Sequence, residues 1–206
     1  SVARWTRALA PHARTIWVAV GPGHNGGDGL AAATHLAQAG CQVLAFLWGR
    51  GQDLPSDAQT ALKHARDAGV QFFEAAAKMP YPSNTANPPD LLIDALFGLG
   101  QSRTPDQRLR SWIGCLNEWC LQRPVLAIDV PTGLSSDHGN PLGEQAVAAH
   151  ATLSLLTLKP GLLTSQGRHF CGDIWFEGLS LTDTSLPPAE LATAQLTTHA
   201  LATLHR

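Results

Sequence analysis

The chain has 206 residues, 44% of them apolar and 15% charged, with a formal net charge of −2. That length and apolar content suit one α/β domain with a real core and argue against a disordered chain. Three lysines (Lys63, Lys78, Lys159) stand beside eleven arginines, and no basic run is interleaved with aromatics, which argues against a nucleic-acid groove.

Val2 to Leu9 reads as a helix. Thr15 to Val20 reads as a buried strand and runs into Gly21-Pro22-Gly23-His24-Asn25-Gly26-Gly27-Asp28-Gly29. Leu30 to Ala39 then reads as a helix stopped by Gly40. A glycine-rich turn between strand and helix presents backbone N–H groups where the helix dipole favours negative charge. The polar side chains of His24, Asn25 and Asp28 imply that more than a phosphate is held, although Asp28 also stands where an N-cap belongs. Gln42 to Leu47 is a second strand. Ser56-Asp57-Ala58-Gln59 matches a capping box, and its helix is expected to reach about Ala68, with Gly69 as its stop. Val70 to Phe73 is a short third strand, and the proline-rich segment from Lys78 to Pro89 reads as a loop.

Asp90 to Leu96 is a fourth strand, carrying Asp94 near its end and followed by a loop from Phe97 to Pro105. The next helix places Leu109, Trp112, Ile113, Leu116, Trp119 and Cys120 on one face. Pro124 to Asp129 is a fifth strand, again ending on an acid and followed by Val130-Pro131-Thr132-Gly133. His150 to Thr157 and Gly172 to Phe176 complete a set of seven. Strands alternating with helices predict a Rossmann-like three-layer α/β/α sandwich around a mostly parallel central sheet.

The four cysteines, Cys41, Cys115, Cys120 and Cys171, form no CxxC pair, so reduced thiols of a cytoplasmic protein are expected rather than disulfides or a zinc site. No signal peptide and no apolar run long enough for a bilayer is present, so no membrane partner is expected. The chain lacks an initiator Met and opens within a helix, which suggests a trimmed chain or an excised domain.

In open parallel sheets ligands bind outside the carboxyl ends of the strands. Three loops with chemical side chains lie there: His24 to Asp28, Asp94 with Gly98 to Thr104, and Asp129 with Thr132. Gly21, Gly23 and Gly26 spell GxGxxG, yet the second strand ends Phe46-Leu47-Trp48-Gly49-Arg50 without the acid by which a dinucleotide dehydrogenase holds its ribose; Arg50 could meet a 2′-phosphate, but Asn25, Gly27 and Asp28 are not needed by an ordinary nicotinamide dehydrogenase. No GxSxG elbow, Walker lysine or HExxH helix occurs. Asn25, Asp94 and Thr132 offer only oxygen donors, so a cation held between these loops would be a hard one and not zinc.

The three motifs, Gly21 to Gly29, Ile93-Asp94-Ala95-Leu96-Phe97-Gly98 and Ile128-Asp129-Val130-Pro131-Thr132-Gly133, together resemble the NAD(P)H-hydrate epimerase family, as do Lys159-Pro160-Gly161 and Gly167 to Gly172. The resemblance covers the chain to about Leu181. It implies interconversion of the R and S forms of the damaged cofactors NADHX and NADPHX, feeding a dehydratase partner. It also implies cofactor contacts by His24, Asn25, Gly26, Gly27, Asp28, Gly98, Leu99, Gly100, Gln101, Ser102, Arg103, Thr104 and Asp129, and a potassium ion held by Asn25, Asp94 and Thr132. Residues 1–182 would be the epimerase domain, and 183–206 a tail or linker towards a dehydratase domain; a homodimer is an open alternative. The family usually has Asn at position 24 and Ser at position 132, and more helix before the first strand. His24 keeps donor capacity with a different size, and Thr132 keeps the hydroxyl.

The reaction implied is loss of a hydroxyl from the ring carbon beside the nicotinamide nitrogen and return of water to the other face. Such chemistry needs an acid/base group and negative charge near a cationic ring. Asp129, ending a buried strand, is the first candidate; the plainer alternative is a hydrogen bond to substrate hydroxyls. Lys159 is a weaker candidate, with a structural turn lysine as its alternative. Two other readings stand beside this one: a non-catalytic nucleotide-binding or scaffold module, and an NAD(P)-dependent oxidoreductase. The second lacks a Tyr-Lys pair, since the only tyrosine is Tyr81 in the proline-rich loop.

Overall fold

The computed structural model describes residues 1–74, 79–85 and 87–179. Its strands are β1 (Thr15–Val20), β2 (Gln42–Leu47), β3 (Gln71–Glu74), β4 (Leu91–Ala95), β5 (Val125–Ile128), β6 (Ala151–Leu155) and β7 (Asp173–Glu177). They form one sheet in the order β3-β2-β1-β4-β5-β6-β7, every pairing parallel. The direction of winding reverses between β1 and β4, which opens a crevice at their carboxyl ends. Lys78 of the proline-rich loop, and the expected linker 183–206, lie outside the described residues.

The helices are α1 (Val2–Leu9), α2 (His24–Gln38), α3 (Ser56–Asp67), α4 (Gln107–Cys120) and α5 (Gly167–Cys171). Side chains alternate across a strand, so each strand feeds two cores. Ile16, Val18 and Val20, with Val43, Ala45, Ile93 and Ala95, face Leu30, Leu36, Ala58 and Leu62 of α2 and α3. Trp17, Ala19, Phe46 and Leu92 face Trp112, Ile113, Leu116 and Trp119 of α4. Trp17 sits between Phe46 and Trp119, with ring centroids 5.0 and 5.3 Å away. Each such side chain removed from water contributes about 1.5–3 kcal/mol, so this aromatic cluster anchors α4 firmly.

Two sequence expectations about helix starts are corrected. α2 begins at His24 with Gly23 as N-cap, so Asp28 lies inside the helix and caps nothing. Its glycines serve close packing: a Cβ on Gly26 would lie 2.1 Å from the Gly21 carbonyl oxygen, and one on Gly29 would lie 2.5 Å from Ala95 Cβ. The helix is drawn onto the sheet edge along a surface no side chain could share, and that packing outweighs the low helix propensity of glycine. In α3 the capping box does not form: Pro55 is the N-cap and no side-chain cap bond is made. Gln59 instead donates from Nε2 to the Gln52 and Leu54 carbonyls, at 3.1 and 2.8 Å, and pins the turn after β2.

Candidate active site

The carboxyl edge of the sheet gathers the three loops. Asp94 is the fourth residue of β4 and shares a face with Leu92, so strand alternation drives it into the interior, where it is wholly buried. Its Oδ1 accepts from Thr132 Oγ1 (2.7 Å) and Leu96 N (3.2 Å), and its Oδ2 from Thr132 N (2.8 Å). Burial pushes its carboxyl up to about 6, against those hydrogen bonds, which lower it. Among the described residues no basic side chain pairs with it.

Asn25, in the first turn of α2, approaches the same place through Gly98, whose added Cβ would lie 3.2 Å from the Asn25 amide carbon. Phe97 N donates to Thr132 Oγ1 (3.2 Å), so residues 97 and 98 tie Asn25 to the Thr132–Asp94 pair. Asn25 Nδ2 is buried and has no partner. Exchanging the amide's two ends would place its oxygen where the unpartnered nitrogen lies. A buried carboxylate without a countercharge, a hydroxyl and an unpartnered amide together fit a hard cation. Among the described residues no group of three His, Cys, Asp or Glu could hold a metal ion, which leaves no nitrogen- or sulfur-rich alternative.

Asp129 follows β5 in the left-handed region, at φ 69°, which is uncommon for a residue with a side chain. Its N–H still donates to Leu153 O (2.8 Å), extending the β5–β6 ladder, while the twist swings the carboxylate to the rim. There Oδ2 accepts from Leu99 N (3.1 Å) and Oδ1 from Leu155 N (3.4 Å). Lys159 Nζ forms an ion pair with Oδ1. Lys159 is itself buried, and its remaining protons go to Leu155 O (2.6 Å) and Ser154 Oγ (3.4 Å). With all three donors used, Lys159 positions Asp129 rather than meeting a ligand. From sequence alone Lys159 is the weaker candidate; the signal that raises it is its place after a strand's carboxyl end in a chain with so few lysines.

Asp28 is exposed on the first turns of α2, yet its pKa is raised, first by desolvation at the rim and then by the charges of Asp129 and Asp57. The Asp129 charge is thus felt at Asp28, on the neighbouring loop of the same rim. His24 does not join them: its Nδ1 lies 2.9 Å from Asp57 Oδ2 on α3, and both side chains are exposed. That contact is the main reason the Asp57 carboxyl is lowered. Gln101 is turned inward: its Nε2 donates to the Phe97 and Pro131 carbonyls (3.4 Å each) and its Oε1 accepts from Gly133 N (2.5 Å). It braces one loop against the next. Gly98 and Leu99 border Asp129, whereas Gly100, Ser102, Arg103 and Thr104 are exposed. Gly26 and Gly27 pack against Gly21 and Ala58, so the structure brings them to neighbouring backbone and helix.

All four cysteines are free, and burial pushes the Cys115 and Cys171 thiols up to about 12, so neither is a nucleophile at neutral pH. Among the described residues no helix is long and apolar enough to cross a membrane.

A family model described as YjeF-related protein N-terminus matches residues 1–161. An NAD(P)H-hydrate epimerase of Bordetella pertussis (strain CS) is 36% identical over 197 residues, covering 94% of this chain and 80% of the relative. The bifunctional NAD(P)H-hydrate repair enzyme Nnr of Escherichia coli K12 is 32% identical over 175 residues, covering 85% of this chain and 32% of that protein. The crystal structure of yeast ynu0 superposes with a TM-score of 0.72 at 20% identity, covering 94% of this chain and 79% of that one, a likeness of fold.

Proposed function

Since this chain belongs to the NAD(P)H-hydrate epimerase family, the family of YjeF-related N-terminal domains, we propose that it interconverts the R and S forms of NADHX and NADPHX at the rim of Asp129 and Asp28. The activity is an isomerase's, the one for which its relatives are named. One observation carries the placement: a carboxylate in a left-handed backbone conformation, ion-paired to a buried lysine, at the edge where ligands of such sheets bind.

Loss of the ring hydroxyl as water requires one proton and leaves an iminium-like ring; water returning to the opposite face restores the hydroxyl and releases that proton. Asp28, whose pKa is raised, is suited to give and take the proton. Asp129, the anion of an ion pair, supplies negative charge beside the cationic ring. The split follows the general pattern of two neighbouring acids whose environments differ. Leu99 N and Gln101 hold the 97–101 loop in place around Asp129.

A potassium ion, when bound, would supply a fixed positive charge between Asn25, Asp94 and Thr132. An ionised Asp94 is disfavoured there by about 3 kcal/mol, judged from its shift, and a cation offsets that. Ionic stabilisation can therefore be read without activity. With potassium a hundredfold above its dissociation constant the gain is about 2.7 kcal/mol, which in a chain of this size raises Tm by roughly 5–10 °C. Asp94→Asn should abolish the difference between potassium and tetramethylammonium chloride at equal ionic strength. An equal Tm rise in the variant would remove Asp94 from the ion site.

The activity itself is tested by mixing R and S hydrates with the chain and following epimer exchange, with and without potassium. Exchange no faster than in buffer would overturn the proposal and favour a non-catalytic binding module. The S form produced would pass to a dehydratase; a bifunctional NAD(P)H-hydrate repair enzyme of Leishmania infantum, of which this chain covers 31%, is consistent with a second repair activity acting beside this one. The buried free thiols suit a reducing compartment such as the cytoplasm.

A further inference from the structure

Beyond the Asp129 rim, the turn after β2 and the outer face of α3 enclose a hollow of about 510 Å³, lined by Arg50, Gln52, Gln59, Leu62, Lys63 and Arg66. Three of the chain's fourteen Lys and Arg residues meet here, and the lining holds no acid. Among the described residues no carboxylate lies within ion-pair distance of any of them. Arg66 sits in the last turn of α3, where a cation complements the helix dipole, and also lies over the Phe72 ring at 5.7 Å. Those local roles do not explain Arg50, which comes from another element and closes the same hollow. Gly51 allows the closure: the turn approaches α3 so tightly that a Cβ would lie 2.6 Å from Leu62 Cδ2.

We propose that this hollow is an anion subsite for the 2′-phosphate of NADPHX, so that the chain prefers the phosphorylated hydrate. The inference rests on the epimerase reading above and adds to it a discrimination between the two substrates. The position suits it. β2 and β5 are three places apart in the sheet, roughly 14 Å at the usual strand spacing. A dinucleotide laid across the β1/β4 crevice with its ring at Asp129 therefore brings its adenosine end to the turn after β2. β2 does not end on an acid that could hold a free 2′-hydroxyl; Arg50 is the first charged residue after it, and Asp53, three residues on, is not part of the hollow's lining. Guanidinium groups bind phosphate in bidentate fashion and remain charged throughout the neutral range. A second hollow, of about 330 Å³ and lined by Arg7, His12 and Arg14 among others, lies at the amino ends of β1 and β2, on the wrong edge for this ligand.

The experiment compares kcat/KM for NADPHX and NADHX in the full chain and in Arg50→Gln and Lys63→Gln, both exposed positions. The wild-type ratio should favour NADPHX, and each variant should lower that ratio roughly tenfold, through KM. An unchanged ratio overturns the subsite; in particular, an equal loss for both hydrates would show that these cations read the diphosphate common to the two. Binding of 2′,5′-ADP against 5′-AMP, followed by calorimetry, is the arm independent of turnover. Tighter 2′,5′-ADP binding that Arg50→Gln abolishes supports the subsite even if no epimerisation is found, and equal binding of the two nucleotides overturns it. Absence of epimerisation of either hydrate by the wild-type chain would count against the epimerase reading alone.

Discussion

Asp129→Asn is expected to slow R/S exchange by about 10²–10⁴-fold while changing the affinity for hydrated cofactor far less. The substitution keeps the size of the side chain and an oxygen for Leu99 N, but removes the charge that faces the ring. It has a second consequence, because Lys159 is buried and loses its counterion. Leaving one partner of a buried pair uncompensated costs about 3–5 kcal/mol, which corresponds to a fall in Tm of roughly 10 °C for a chain this size. Stability and catalysis are separated by the double variant Asp129→Asn/Lys159→Met, in which neither a charge nor its partner remains. Its Tm should recover much of the loss while exchange stays slow. Wild-type turnover in the single variant, or its return in the double, would leave Asp129 with a merely structural role.

Short continuous apolar runs made the strands legible, since a strand buried on both faces shows as an apolar block between turn residues. The parallel order followed from helices lying between those blocks. The face of α4 was legible for the same reason, and Trp112, Ile113, Leu116 and Trp119 are all buried. What misled was local chemistry with two explanations. Glycine before a helix ordinarily means a turn, and only the packing of Gly26 on Gly21 and Gly29 on Ala95 reveals it as a helix pressed against the sheet edge. The Ser56–Gln59 spacing fitted a capping box, but Gln59 finds carbonyls of the preceding turn instead.

At the site, the loops that meet were legible because every parallel strand sends its carboxyl end to one edge. The pairing within the site was not. Asp129 and Lys159 are thirty residues apart and are joined only because β5 and β6 are neighbours and Asp129 adopts a left-handed twist. Gln101 and His24 show the reverse: polar residues in the right loops whose side chains are committed elsewhere, to Gly133 N and to Asp57. Placing a residue in a loop predicts that it is near the rim, and only the geometry of its neighbours decides what it faces.

The tight seat of α2 makes Gly26→Ala a strongly damaging substitution despite its small size. Alanine is the better helix former by about 1 kcal/mol, so propensity alone predicts a gain. The added Cβ, however, would lie 2.1 Å from the Gly21 carbonyl oxygen and 2.9 Å from its carbon. Gly21 cannot yield, because its N–H donates to Ala95 O (2.9 Å) and its own Cβ position lies 1.6 Å from the Leu96 carbonyl oxygen. The helix must move instead, against the core of Leu30 and Leu36. Overpacking against backbone on both sides outweighs the propensity gain by about 3 kcal/mol, a fall in Tm of roughly 10 °C. Because the same turn carries Asn25 and Asp28, epimer exchange should fall with it. Gly114→Ala in α4 is the matched control: a Cβ there meets nothing within 4 Å, and the same propensity term should raise Tm by roughly 2–4 °C. If Gly26→Ala instead gains stability as Gly114→Ala does, the close seat of α2 on the Gly21 turn is wrong, and with it the placing of Asn25 and Asp28 at the rim.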